Sequence, residues 1–137
     1  MNKFILFTFS ILLTFSLSIA QNWNQLGNDI DGEAASDYSG VSVSFSSDGN
    51  TVAIGAYLND GNGTESGHVR IYAYNGSSWN QLGNDIDGEA ADDRSGISVS
   101  LSSDTNTVAI GAHSNDGNGS LAGHVRVFYF SIPGCTD

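Results

Sequence analysis

Two acid triplets, Asp29-x-Asp31-x-Glu33 and Asp85-x-Asp87-x-Glu89, are the first residues whose spacing suggests chemistry. Acids two apart on an irregular segment can turn their oxygens toward one cation, and calcium takes roughly six to eight oxygen ligands. Asn59-Asp60-Gly61-Asn62-Gly63 and its copy at 115–119 offer a second oxygen-rich turn. Neither segment supplies a spaced ligand set closed by a bidentate Glu, and Asp, Asn and Gly are also the ordinary turn formers. Calcium is therefore the one cofactor alternative, with turn chemistry ahead of it.

Catalysis needs a nucleophile beside a base, paired carboxylates in a pocket, or a metal triad. His68 and His124 each precede Val-Arg, so a repeated structural role accounts for both. His113 stands where the other copy has Tyr57, and no Gly-x-Ser-x-Gly elbow occurs. No catalytic, cofactor-binding or metal-ligating set is expected, and the chain is read as non-enzymatic.

The elements that position these residues repeat. Residues 23–74 and 79–130 align at an offset of 56 with 38 of 52 positions identical. Val41/Ile97, Phe45/Leu101, Ile71/Val127 and Tyr72/Phe128 exchange one apolar side chain for another of similar bulk. The radical changes, Tyr38/Arg94, Tyr57/His113, Leu58/Ser114 and 64–66 against 120–122, fall in expected loops or at strand ends. Both copies are expected to build one core and to differ at their tips.

Within a repeat the hydrophobic period is two, the signature of strands. Val41, Val43 and Phe45 alternate with Ser42, Ser44 and Ser46, and Asp48-Gly49 then suits a tight hairpin. Thr51 to Ala56 follows, with Val52 and Ile54 opposite the small Ala53 and Gly55. Val69, Ile71 and Ala73 mark a third strand, and Trp79 to Ile86 a fourth. Four up-and-down antiparallel strands make a β-propeller blade, so the expected fold is all-β, with a β-sandwich as the alternative. The small residues of the first two strands suit close stacking of blades.

The ends and the composition set the compartment. Residues 1–20 combine Lys3, an apolar run from Phe4 to Leu17 and Ser18-Ile19-Ala20, the pattern of a secretory signal cut before Gln21. Removing Lys3 leaves three Arg against 15 acids, a net charge of −12 where the whole chain has −11. Such a surface repels nucleic acid and anionic membranes. The single Cys135 excludes an internal disulfide. Secretion or cell-surface display is expected, with no nucleic-acid partner and no membrane insertion.

The expected parts are the signal, two repeats over 21–130, and a tail at 131–137. The repeats comprise a lone strand at 22–31, blade strands at 39–86 and blade strands at 95–130. That makes two blades, an incomplete propeller, since rings close with roughly four to eight. Either the chain is a fragment or copies self-associate, because each blade must bury both faces. A face holding Val69, Ile71 and Tyr57 is expected to lie open, and the Trp23 strand is expected beside Val125 to Phe130.

Gly40-Val41-Ser42-Val43, Val52-Ala53-Ile54-Gly55-Ala56 and Gly67-His68-Val69-Arg70-Ile71-Tyr72 resemble the FG-GAP repeat of integrin-α-type propellers. The chain is similar to the WNQLG-type repeats of secreted and cell-surface proteins of marine bacteria. Ser39 and Ser95 replace the motif's phenylalanine, and Tyr57 and His113 its proline. The resemblance implies a calcium loop between the first two strands, but Ser47 to Asn50 and Ser103 to Asn106 are too short to form one. It also implies a binding or adhesion module for an extracellular protein or glycan. A purely structural array, or part of a propeller enzyme with its catalytic residues elsewhere, are the alternatives.

Overall fold

The computed structural model describes residues 21–131, so the expected signal peptide and nearly all of the expected tail lie outside the described residues. The strands are β1 (Ser42–Phe45), β2 (Thr51–Ala56), β3 (His68–Tyr74), β4 (Trp79–Gln81), β5 (Ile86–Asp87), β6 (Ser95–Leu101), β7 (Thr107–Ala112) and β8 (His124–Tyr129). The fold is all-β, and every strand pairing is antiparallel.

The first sheet runs β1-β2-β3, and the edge of β3 is shared by β4 and β5. The expected fourth strand at 79–86 is thus broken in two: Tyr74 faces Trp79 and Val69 faces Ile86 across an interruption at 82–85. The second sheet is β6-β7-β8, with no fourth strand among the described residues. Both hairpins turn on an Asp. Asp48 accepts from the Asn50 amide at 3.0 Å, and Asp104 from the Asn106 amide at 3.2 Å. Gly49 supplies the left-handed residue of the first turn (φ 70°), and Thr105 takes it in the second (φ 66°).

The sheets stack face to face through the small side of the first. Ala53 and Val69, both fully buried, meet Leu101, Val108 and Ile110, with Ile71, Ile86 and Phe128 closing the cluster. Each fully buried aliphatic side chain contributes about 1.5–3 kcal/mol. Backbones approach closely where Gly55 lies over Gly96; an added Cβ would land on the Gly96 carbonyl oxygen. The Ser42 hydroxyl donates to that carbonyl at 2.7 Å, and the Ser44 hydroxyl accepts from the Leu101 amide at 2.9 Å. The strand serines therefore work inside the junction, while Val43 and Phe45 face outward and are more than half exposed.

Three expectations change here. The face carrying Val69 and Ile71 is the buried junction; the open face is its counterpart on the second sheet, where Val125, Val127 and Tyr129 are 66, 64 and 77% exposed. Residues 22–31 form no strand, because a strand needs a ladder partner and none lies beside them among the described residues. Nor do they run along β8. Ile30 instead packs on Val52, Ile54 and Tyr72 of the first sheet, and the Trp79 indole donates to the Leu26 carbonyl at 2.8 Å. A sandwich would turn its polar faces outward; this stack presents apolar faces on both outer sides, as propeller blades do.

Candidate functional site

One end of the stack carries the turns 46–50, 75–78 and 102–106, and the other carries the loops in which the two repeats diverge. At that end, residues 57–66 are bound to residues 88–95 of the next repeat. The Asp92, Arg94 and Ser95 amides donate to the carbonyls of Thr64, Glu65 and Ser66 at 2.8, 3.1 and 2.9 Å. Arg94 adds two bonds to one oxygen of Glu65, at 3.1 Å from Nε and 2.7 Å from Nη2. Six non-glycine residues on these loops hold positive φ, as three equivalent pairs: Ser36/Asp92, Tyr38/Arg94 and Glu65/Leu121. Such backbone persists only where surrounding bonds over-determine it.

The loops are fixed from below by buried polar pairs. The Asp37 carboxylate, 5% exposed, accepts from the Asn59 side chain at 2.9 Å and from the Ala34 amide at 3.2 Å. Asp93 does the same with Asn115 at 2.9 Å and the Ala90 amide at 3.1 Å. These pairs were legible only as a 22-residue spacing that recurs in both copies. The Asn59 side-chain oxygen Oδ1 accepts from the Gly61 amide, and the Asp60 carboxylate from the Glu65 amide, both at 2.8 Å. The oxygens of the Asn59–Gly63 segment are thus largely spent on their own turn.

The acid triplets do not converge. Asp29 takes the Gln25 amide and Asp85 takes Gln81, at 2.9 and 2.6 Å. Glu33 turns the other way, toward His68 and Arg70. His68 is buried at the entry of β3; its Nδ1 has no hydrogen-bond partner and faces Glu33 Oε2 at 3.8 Å and Asp85 Oδ2 at 3.9 Å. Glu33, His68 and Asp85, and likewise Glu89, Asp93 and His124, bring their ligand atoms within 4.8 Å of one another. These are the residues that could hold a divalent cation, one nitrogen and two oxygens each. A positive charge already stands there, however. Arg70 lies 3.7 Å from Glu33 and Arg126 lies 3.9 Å from Glu89. With the guanidinium in place, each cluster works as an ion-paired strap binding an acidic segment to the next blade.

His113, the tip histidine, is exposed and joins neither cluster. The pKa perturbations of acids fall on the hairpins: the Ser46 hydroxyl holds Asp48, and the Ser102 hydroxyl holds Asp104, below the usual carboxylate value. Burial pushes the Tyr72 hydroxyl upward. Among the described residues no helix is long and apolar enough to cross a membrane.

The family model described as FG-GAP repeat matches residues 30–72 and 85–128. None of the curated proteins matches this chain.

Proposed function

Because this chain belongs to the FG-GAP repeat family, we propose that it is a non-catalytic binding module of the cell exterior. FG-GAP repeats occur in integrin-like, often extracellular, binding modules. A single observation carries the reading: the loops of both blades form one ledge whose backbone is fixed from below while its rim differs between copies. The rigid part is the repeated Asp37–Asn59 and Asp93–Asn115 bonding. The variable part includes Tyr57 against His113 and Leu58 against Ser114. Fixed loops with changing side chains are how a rigid scaffold presents recognition groups. The rim also exposes Asp60 and Asp116, so an extracellular protein or glycan presenting cationic groups is the partner class it suits.

Export through residues 1–20 belongs to the same proposal, and intact-mass analysis of the secreted protein should begin at Gln21. Binding is tested by probing protein and glycan arrays with the chain and with Tyr57→His and Asp60→Asn/Asp116→Asn variants. Loss of captured ligand with unchanged circular dichroism supports the reading. A ligand retained equally by all variants sinks it, as does an absence of any ligand.

A further inference from the structure

Residues 21–131 display one blade-to-blade junction and leave both halves of an equivalent junction bare. Shifting the junction by 56 residues makes this concrete. Val69 is fully buried, while its counterpart Val125 is 66% exposed. Ser66 and Ser95 are fully buried, but their counterparts Ala122 and Ser39 are exposed and half-buried. On the far side of the first sheet, Phe45 is 56% exposed where its counterpart Leu101 is 8%.

The backbone tells the same story. Among the described residues, 22–33 make no backbone–backbone hydrogen bond, whereas in the equivalent 78–89 the Leu82 amide bonds the Ile71 carbonyl and the Gly88 amide the Gly67 carbonyl, both at 2.7 Å. The segment is nonetheless already placed on its own first sheet as 79–87 is placed on the second. Arg70 donates to the Asp31 carbonyl as Arg126 donates to that of Asp87. It is a fourth strand in position, lacking its sheet. Among the described residues, β8 is a third strand without a neighbour on its outer edge.

The tip residues decide what covers these surfaces. In the displayed junction Glu65 pairs with Arg94. Their counterparts across the bare junction are Leu121 and Tyr38, 70 and 60% exposed. Both members have changed together, from an ion pair to an apolar pair, so this chain's trailing surface complements its own leading surface.

We propose that copies of this chain dock head to tail, residues 23–31 of one copy completing the β6–β8 sheet of the next. The register follows from the first sheet, where Tyr72 faces Gln81, Ala73 faces Asn80 and Val69 faces Ile86. Between copies Phe128 faces Gln25, Tyr129 faces Asn24 and Val125 faces Ile30. Gly111 takes the place of Gly55 and lies over Gly40 of the neighbour. Leu121 meets the neighbour's Tyr38. A head-to-tail contact closes into a ring when its rotation permits, and propeller rings hold roughly four to eight blades.

The test is sedimentation of the secreted chain at micromolar concentration, with disulfide mapping in a Cys135→Ser background. A discrete oligomer is expected. Mixing Asn24→Cys chains with Tyr129→Cys chains should give a crosslinked heterodimer that neither variant forms alone. Val127→Arg alters an open face, Val127 being 64% exposed, so the monomer keeps its circular dichroism while association weakens at least about thirtyfold. Leu121→Glu alone should weaken association, and adding Tyr38→Arg should restore it by rebuilding the ion pair. A monomer overturns the proposal, as do Asn24→Cys chains that crosslink to themselves. So does an oligomer in which the Leu121→Glu/Tyr38→Arg pair is no better than Leu121→Glu. A chain that stays single and captures only blades of another protein overturns it too.

Discussion

The guanidinium of Arg70 donates to the backbone carbonyl of Asp31 at 2.7 Å, and Arg126 reaches Asp87 in the same way. Each bond crosses 39 residues and ties the acidic segment ahead of a blade to that blade's third strand. Arg70 is the more enclosed, its side chain 7% exposed against 22% for Arg126.

Arg70→Met therefore removes a charge-assisted bond to a carbonyl and an ion pair from an enclosed site. Hydrogen bonds to charged groups contribute about 1.5–3 kcal/mol, so urea unfolding should show a loss of about 2 kcal/mol. Arg126→Met should cost less. Equal losses would mean that enclosure does not set the strength of the strap.

Two glycines at equivalent places separate backbone crowding from side-chain crowding. At Gly55 an added methyl meets the fixed Gly96 carbonyl; at Gly111 it meets only the hydroxyl of Ser98, which can rotate away. Gly55→Ala should destabilise the folded chain by about 1–3 kcal/mol or more, as overpacking does. Gly111→Ala should leave the melting of the dissociated chain almost unchanged.

Acid should weaken the hairpins in a defined direction. The folded-state pKa of Asp48 and of Asp104 lies below the ordinary carboxylate value, first because the Ser46 or Ser102 hydroxyl bonds the ionised carboxylate. A depressed pKa contributes stability that is present above the unfolded value and is lost as pH falls through the folded one. The stability difference between wild type and Asp48→Asn should therefore be constant at neutral pH and shrink below about pH 4. A difference that grows on acidification would reverse the assignment.

Calcium should not be needed for the fold. The Asn59–Gly63 oxygens are bonded within their turn, and Asp29 and Glu33 face different partners. A site filled at a hundredfold excess over its dissociation constant would add about 2.7 kcal/mol. Thermal melts in chelator and in millimolar calcium should coincide, and a rise of many degrees with calcium would overturn this expectation.

Alternation fixes β1, β2, β3, β6, β7 and β8, because a period of two and an Asp-led turn are local properties that survive without tertiary context. Alternation alone places Val52, Ile54, Val69 and Ile71 in strands, and the 56-residue offset implies two like blades. Alternation cannot say which face of a strand is covered. Only packing decided that Val69 is buried and Ile71 half-buried while Val125 and Val127 are open, although the chain around each reads almost identically. The fate of Trp23 to Ile30 was likewise illegible. Its sequence matches that of 79–86, whose ends pair with β3, but a strand exists only where another backbone accepts its hydrogen bonds, and that partner is a fact of tertiary structure. The strap of Glu33, His68 and Arg70 was hidden for the same reason: its members are separated along the chain and meet only when one blade is laid on the next.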